Sequence, residues 1–156
     1  MDKQSFTQRV EQCSRTLYRV AMSYTGNPSD AADAVQEALL RAWNRRDTLR
    51  SEAHFSTWLT RILINECKTL LKRRRRLLPS EHLPENSVLP PDADRTVFEA
   101  LIRLDEKYRV PLVLHAVEGY SLKEIASMLH LPLGTVKTRI SRARIKLEKE
   151  VLDDEA

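Results

Sequence analysis

Glycine and aromatic residues are scarce in this chain of 156 residues, which has three glycines and 6% Phe, Trp and Tyr. β-Sandwiches and β-barrels need many turns and strands rich in aromatic residues, so this composition argues against both classes. Hydrophobic residues make up 42% of the chain and charged residues 31%, as in soluble globular proteins. We therefore expect an all-α protein.

Cysteines are few and long hydrophobic runs are missing. Cys13 and Cys67 are far apart and match no metal-ligand or Cys-x-x-Cys spacing, so we interpret them as core residues in a reducing compartment, with a disulfide or redox role as the alternative. No stretch approaches the roughly 20 apolar residues of a membrane span, and the N-terminus lacks the apolar run of a signal peptide. We expect a cytoplasmic protein without membrane insertion, metal or cofactor.

Positive charge is in modest excess, with a formal net charge of +4. Such a balance permits a nucleic acid or another polyanion as partner but does not require one. The distribution of charged residues along the chain is therefore more informative than their sum.

Residues 121–144, SLKEIASMLHLPLGTVKTRISRAR, have the pattern of two short helices separated by a tight break. Ser121 and Glu124 form the Ser-x-x-Glu capping box that begins a helix, here at Leu122. Pro132 then marks the break, because proline is tolerated in the first turn of a new helix. The pattern predicts a helix-turn-helix, and the alternative is an ordinary amphipathic helix pair with solvated cations.

The second of these helices carries apolar and cationic residues on different sides. Val136, Ile140, Ala143 and Leu147 are spaced by four, three and four residues, which predicts one buried face. The other side chains mix hydroxyls with cations, the combination that contacts base edges and phosphates. The residues expected to contact duplex DNA are Thr135, Lys137, Thr138, Arg139, Ser141, Arg142 and Arg144.

The N-terminal part of the chain predicts two packed helices. Apolar residues at positions 6–24 recur every three or four residues, which predicts a helix that ends near Gly26. Asn27 is a candidate N-cap and Pro28 a candidate first residue of the next helix, which extends to about Arg45.

That second helix has an acidic stripe, which we define as Asp30, Asp33, Gln36 and Glu37. Carboxylates near a helix N-terminus stabilise the helix by about 0.3 to 1 kcal/mol each, which is one explanation of the stripe. Acid–base catalysis or metal binding would need further groups such as a nearby His or Cys, and the sequence offers none. A docking face for a protein partner is the other explanation.

A polar loop at residues 44–54, with Ser51 as a candidate helix cap, leads into a third helix that begins with Phe55 and Trp58 and ends in five consecutive basic residues. Aromatic rings stack on bases and cations follow the backbone of single-stranded nucleic acid, so this helix suits an unstacked strand. The alternative is that the aromatics are core residues and the basic run is a solvated face, and for Phe55 we favour the core.

Helical periodicity fails at residues 78–94, where four of the seven prolines lie among polar residues. These residues predict a flexible linker between two small helical domains, residues 1–77 and 95–156. Periodicity returns after residue 95 and predicts helices that pack on the helix-turn-helix. We expect the acidic end after Leu147 to fray.

Four motifs lie in order around the linker. They are Asp30-Ala-Ala-Asp33 running into Gln36-Glu37, Phe55-Ser-Thr-Trp58-Leu-Thr-Arg61-Ile62 with Asn65, Tyr108-Arg109, and GTVKTRISRAR at 134–144. With these motifs in this order, the chain resembles bacterial sigma factors of the extracytoplasmic-function type, the minimal two-domain members of the sigma-70 family. Four matches in the family's order make the resemblance specific; it covers residues 17–147 and departs from the family's pattern at Ala32, Leu39 and Asp105.

The resemblance implies a role for each domain. Residues 1–77 correspond to sigma region 2, in which the acidic stripe docks on the beta-prime clamp helices of core RNA polymerase. Residues 95–156 correspond to region 4, in which the helix-turn-helix reads the minus-35 promoter element; the beta flap of the polymerase is a further expected partner. The loop and the helix from Phe55 correspond to the part that binds the minus-10 element and captures an unstacked base of it. The residues that the resemblance implies for minus-10 binding are Arg45, Arg46, Thr48, Trp58, Arg61, Asn65, Lys68 and Lys72.

We expect the chain to be without the additional C-terminal domain of some family members, so the resemblance also implies a separate anti-sigma factor. The main alternative function is a stand-alone helix-turn-helix regulator, which would bind a palindromic duplex without polymerase. Such a regulator has no need of the acidic stripe or of the aromatic and basic third helix. An enzyme acting on nucleic acid has little support, because no catalytic or metal-ligand cluster is visible.

Overall fold

In the computed structural model the chain divides into two compact units, Met1–Asn86 and Ser87–Ala156. The structure describes residues 1–77 and 95–155, and the predicted linker at 78–94 lies outside them. Within the described ranges every regular element is helical, which confirms the all-α prediction.

Three long helices build the first unit: α1 (Lys3–Thr25), α2 (Pro28–Asn44) and α3 (Phe55–Leu77). Each of them packs against the other two. The side of α2 that enters the core carries only alanines, Ala31, Ala34, Ala38 and Ala42, and such small side chains let the neighbouring helices approach closely. The largest fully buried side chains come from α1 and α3: Leu17, Val20, Leu59, Leu63 and Ile64.

The connection between α1 and α2 follows the local signals in the sequence. Gly26 caps α1 in the left-handed conformation, with φ 62°, which glycine adopts without steric cost. The Asn27 side chain accepts the N–H groups of Ser29 at 2.9 Å and Asp30 at 3.2 Å, while Pro28 occupies the first turn. The predicted end of α1 and the predicted N-cap of α2 are therefore confirmed.

Both cysteines lie in the first unit and both are buried thiols, which confirms their interpretation as core residues. Burial raises the pKa of the Cys13 thiol, against a smaller lowering by a backbone hydrogen bond. A raised pKa keeps this thiol protonated and slow to react at neutral pH.

The second unit contains α4 (Arg95–Arg103), α5 (Glu106–Leu112), a π-helical turn (Val113–Val117), α6 (Leu122–Leu129) and α7 (Leu133–Glu155). The long helix α7 packs against α4, α5 and α6 and so organises the unit. The expected fraying after Leu147 is wrong, because α7 continues to Glu155 and Glu150 pairs with Arg103 of α4 at 3.8 Å.

A proline explains the π-helical turn. Pro111 lies inside α5 and has no N–H, so it cannot donate to the carbonyl of Lys107 four residues earlier. Beyond it the hydrogen bonds widen to a five-residue spacing, as in the bond from the Glu118 N–H to the Val113 carbonyl at 3.0 Å. Gly119, with φ 77°, follows the turn and leads the chain to the start of α6.

Candidate nucleic-acid and partner interfaces

The helix-turn-helix predicted in the second unit is present as α6 and α7. The Ser121 hydroxyl accepts the Glu124 N–H at 3.1 Å, and the Glu124 carboxylate accepts the Ser121 N–H at 3.0 Å, so the capping box is confirmed. Helix α6 ends at Leu129, and His130 caps it in the left-handed conformation with φ 55°. A non-glycine residue rarely adopts this conformation, and the sequence pattern did not indicate it.

Helix α7 buries the predicted apolar face. Val136, Ile140 and Ala143 are buried, whereas Leu147 is only half-buried. Of the residues predicted to contact duplex DNA, Thr135 and Arg139 are half-buried and Lys137, Thr138, Ser141, Arg142 and Arg144 are exposed. The predicted DNA-contacting face of α7 is therefore accessible to a ligand.

A cleft of about 340 Å³ opens beside the N-terminal half of α7. We call it the cationic cleft, and its lining residues are Lys107, Tyr108, Gly134, Thr135, Thr138, Arg139 and Arg142. It brings together four of the residues predicted for duplex DNA with two side chains of α5, Lys107 and Tyr108, that the prediction missed. Only the packing of α5 on α7 reveals them, although the Tyr108-Arg109 pair had matched the family's pattern.

Arg109 supports the fold of the second unit from inside. Its guanidinium donates to the carbonyls of Leu104 at 2.6 Å and Ile102 at 3.4 Å, at the end of α4. Burial lowers the pKa of Arg109, and the nearby carboxylates of Glu106 and Asp105 raise it by less. This side chain joins α5 to the end of α4.

In the first unit, the acidic stripe is only partly accessible. Asp33, Gln36 and Glu37 are exposed on α2. The Asp30 carboxylate instead forms an ion pair with Arg74 of α3, and only 13% of its side-chain surface is exposed. A second ion pair, between Arg41 and Glu66, joins the same two helices.

The predicted loop at residues 44–54 contains two 3-10 turns, Arg46–Thr48 and Glu52–His54, which the sequence pattern did not indicate. The Arg46 guanidinium lies 3.9 Å from the centre of the Trp43 ring and also donates to the Trp43 carbonyl at 2.8 Å. The Thr48 hydroxyl donates to the Arg45 carbonyl at 2.7 Å. Local contacts therefore hold the predicted minus-10 residues of this loop in place.

One long-range contact braces the same loop from α1. Arg9 donates through one guanidinium nitrogen to the Glu52 carbonyl at 3.1 Å and through another to the Glu52 carboxylate at 2.7 Å. The Ser51 hydroxyl accepts the Ala53 N–H at 3.3 Å, which confirms Ser51 as a cap. Arg9 is a functional candidate that sequence reasoning missed, because no motif connects residues 43 positions apart.

Aromatic rings join the start of α1 and the end of α2 to the start of α3. Phe6 lies edge-on to Trp43 at 5.2 Å and to Phe55 at 5.7 Å between ring centres, and Phe55 contacts Trp58 at 5.7 Å. Phe55 is buried, which confirms its placement in the core, whereas Trp58 is half-buried. Trp58 is therefore the ring of α3 that retains surface for a ligand.

The predicted nucleic-acid residues of α3 share one face of the helix. These residues are Trp58, Arg61, Asn65, Lys68 and Lys72. Their spacing of three, four, three and four residues aligns them along one side of the helix. Trp58 and Lys68 are half-buried, and Arg61, Asn65 and Lys72 are exposed. We call this set the α3 stripe; it extends from the aromatic cluster toward the basic end of the helix.

Two further properties bear on the chemistry available. Among residues 1–77 and 95–155, no group of three or more His, Cys, Asp and Glu side chains could hold a metal ion. No helix in the described part of the chain is long and apolar enough to cross a membrane.

Comparison with known proteins identifies two family patterns in the chain. The family pattern of sigma-70 region 2 matches residues 9–77, and that of sigma-70, region 4, matches residues 94–147. The chain is 30% identical to the ECF RNA polymerase sigma factor SigW of Bacillus subtilis, over 97% of this chain and 91% of the relative. It is 36% identical to the ECF RNA polymerase sigma factor SigM of Mycobacterium tuberculosis, over 95% of this chain and 78% of the relative.

A solved structure is similar over both units. The sigma factor RpoE of Bartonella quintana, crystallised with the anti-sigma factor NepR, superposes with a TM-score of 0.84 at 25% identity. The match covers 94% of this chain and 96% of that one.

Proposed function

Because the chain belongs to the extracytoplasmic-function (ECF) RNA polymerase sigma factors of the sigma-70 family, we propose that its two units divide promoter recognition between them. As an alternative sigma factor, the chain directs promoter-specific transcription initiation. In the proposal, residues 1–77 act as region 2, residues 78–94 as the linker and residues 95–156 as region 4. The proposal rests mainly on the two accessible cationic surfaces, the α3 stripe in one unit and the cationic cleft in the other.

The acidic stripe is the proposed docking surface for the beta-prime clamp helices of core RNA polymerase. Asp33, Gln36 and Glu37 are exposed on α2 and can meet a cationic surface directly. Asp30 is paired with Arg74, so it joins the contact only by exchanging that partner. The beta flap of the polymerase is the proposed partner of the second unit.

The α3 stripe and the loop before it are the proposed site for the opened minus-10 strand. Extruding a base from the stack costs a few kcal/mol, which contacts made only with the open strand must offset. Trp58 offers a ring for stacking, and the exposed side chains of Arg61, Asn65 and Lys72 follow it along α3. Arg45, Arg46, Thr48 and Lys68 complete the proposed site.

The exposed face of α7 is the proposed reader of the minus-35 element in duplex form. A recognition helix enters the major groove with its N-terminal residues toward the base edges, and that end of α7 lines the cationic cleft. The proposed contacts are Thr135, Lys137, Thr138, Arg139, Ser141, Arg142 and Arg144.

The remaining parts of the proposal follow from the family. The chain is a binding protein rather than an enzyme, works in the cytoplasm with RNA polymerase, and needs no cofactor. A separate anti-sigma factor is its proposed regulator, as NepR accompanies the similar RpoE.

Charge reversal on the acidic stripe tests the docking assignment. Glu37→Lys should weaken binding to core polymerase by roughly 100-fold, because like charges facing each other at an interface cost several kcal/mol. Glu11→Lys is the matched control, since Glu11 is also exposed but lies on α1. Equal affinities of both variants for core enzyme in a pull-down would refute the docking surface.

Run-off transcription with core polymerase on a genomic library, followed by sequencing of the start sites, tests the function itself. A specific set of start sites that depends on the added chain is the expected result. If the chain instead protects a duplex on its own and never supports transcription with core enzyme, it is a stand-alone regulator.

A further inference from the structure

Two clefts of the second unit share the Tyr108 side chain as part of their walls. One is the cationic cleft beside the N-terminal half of α7. The other, of about 280 Å³, lies farther along α7, and we call it the mixed-charge cleft. Its lining residues are Arg103, Leu104, Asp105, Tyr108, Lys146, Lys149, Glu150 and Asp153.

The two clefts differ in their balance of charge. The mixed-charge cleft has three cationic side chains and three carboxylates, so the protein itself neutralises its cations. The cationic cleft has Lys107, Arg139 and Arg142, and of the described residues that line it none carries a carboxylate. Three cations in one small concave site repel one another, and an anion from outside the unit would relieve that repulsion.

The ring of Tyr108 supports the lysine that α5 contributes. The Lys107 ammonium lies 5.1 Å from the centre of this ring, and the Lys146 ammonium lies 5.3 Å from it. The negative face of an aromatic ring attracts a cation at such distances. Tyr108 therefore favours a placement of Lys107 at the edge of the cationic cleft.

We propose that the cationic cleft binds a backbone phosphate of the duplex that α7 reads, with Lys107 as a phosphate ligand outside the recognition helix. This inference rests on the proposed function of the second unit. The same cleft holds Thr138 and Arg142 of the recognition helix, so an anion bound there lies beside the base-reading side chains. When a helix occupies the major groove, the groups beside it are the sugar-phosphate strands.

In this proposal Lys107 helps to fix the position of the protein on the duplex and does not contribute to sequence preference. It projects from α5, whereas the side chains proposed to read base edges all project from α7. Contacts to phosphate fix the position of a protein on the duplex and act equally on every sequence. They also release counterions, so each contact adds to the salt dependence of binding.

The test compares lysines from the two clefts in complete holoenzyme. The chain and its Lys107→Gln, Lys107→Arg and Lys149→Gln variants are assembled with core polymerase, and affinity for a promoter fragment is measured over a range of KCl concentrations. Lys107→Gln should lower affinity by about fivefold, the effect of one hydrogen bond. It should also reduce the slope of log affinity against log salt by about 0.9, the value for one phosphate contact.

Two matched variants and two promoter fragments separate the possible causes of the loss of affinity in Lys107→Gln. Lys107→Arg keeps the charge and should keep the slope, and Lys149→Gln removes a lysine from the mixed-charge cleft and should leave the slope nearly unchanged. The loss caused by Lys107→Gln should be the same on a fragment with an altered minus-35 element. Circular dichroism and core-enzyme binding are measured for every variant and should match the wild type.

Two results would overturn the inference. One is a Lys107→Gln slope equal to that of Lys149→Gln, and the other is a loss confined to one minus-35 sequence, which would mean that Lys107 reads a base. Both require a wild-type holoenzyme that binds and transcribes the promoter. A wild-type chain that supports no transcription would instead refute the proposed function.

Discussion

The two units present their proposed functional side chains in different ways. In the first unit, other side chains hold some of them in place: Arg46 stacks on Trp43 and Asp30 pairs with Arg74. Arg9 of α1 also braces the loop at 44–54 through Glu52. In the second unit the corresponding side chains project from the single helix α7, whose buried face is fixed by Val136, Ile140 and Ala143.

The difference fits the shapes of the two proposed ligands. Duplex DNA is stiff and regular, so one rigid helix can meet it with side chains that adjust individually. An opened strand has no fixed shape, and a protein that holds it must supply preformed walls of stacked rings and cations. Under the proposed function, the internal contacts of the first unit hold such walls in place before the strand binds.

The largest expected effect tests whether the units are separate in stability. Leu63 has no exposed surface in the first core, so Leu63→Ala should lower that unit's free energy of unfolding by about 3 kcal/mol. Both tryptophans of the chain, Trp43 and Trp58, lie in the first unit, so their fluorescence follows that unit alone. Circular dichroism follows both units.

The matched substitution in the second unit is Ile125→Ala, at an equally buried position. It should lower the midpoint of the second unit's unfolding transition, measured by circular dichroism, and leave the midpoint measured by tryptophan fluorescence unchanged. A shift of both transitions by either variant would show that the two cores unfold together.

A smaller effect is expected from removing one exposed cation of α7. Arg142→Ala should weaken binding to the minus-35 element by about 1 to 3 kcal/mol if Arg142 reads a base, whereas a phosphate contact would weaken all sequences alike. Competition between holoenzyme complexes on fragments with altered minus-35 bases measures the difference. Arg61→Ala, in the α3 stripe, is the control and should impair strand opening while leaving the minus-35 preference intact.

The smallest effect on stability is expected from loss of the Arg9–Glu52 contact in the first unit. Arg9 and Glu52 are substantially exposed, so Arg9→Gln should change the free energy of unfolding by only about 0.5 kcal/mol. The loop should nevertheless lose its fixed position, and open-complex formation, measured by permanganate reactivity of unpaired thymines, should fall. Arg15→Gln, exposed on the same helix, should have neither effect, and normal opening by Arg9→Gln would contradict a positioning role.

Features encoded by neighbouring residues could be predicted from the sequence. Gly26, Asn27 and Pro28 mark a helix end and a helix start, and the Ser121 and Glu124 capping box marks another start, because each of these signals acts on backbone groups within three or four residues. The exposure of most of the proposed DNA-contacting residues of α7 followed in the same way from the periodicity of its buried face.

Features that depend on distant residues could not be predicted. Arg9 with Glu52, Arg74 with Asp30 and Lys107 with the α7 side chains meet only after the helices pack, and no local pattern relates their positions. One local feature, the π-helical turn after Pro111, was also missed. The continuation of α7 was missed because its acidic end pairs with the distant α4. Tertiary contacts stabilise that end against its local tendency to fray.

The ion pair between Asp30 and Arg74 couples two proposed partners, because each partner would take one of two charges that now satisfy each other. A phosphate that attracts Arg74 leaves the Asp30 carboxylate for a cationic surface, and a cationic surface that takes Asp30 leaves Arg74 for a phosphate. Thermodynamic linkage requires these effects to be equal in size. Under the proposed function, DNA and polymerase each strengthen the other's binding to the first unit through this pair by one common factor, limited to about 1 kcal/mol for a partly exposed pair.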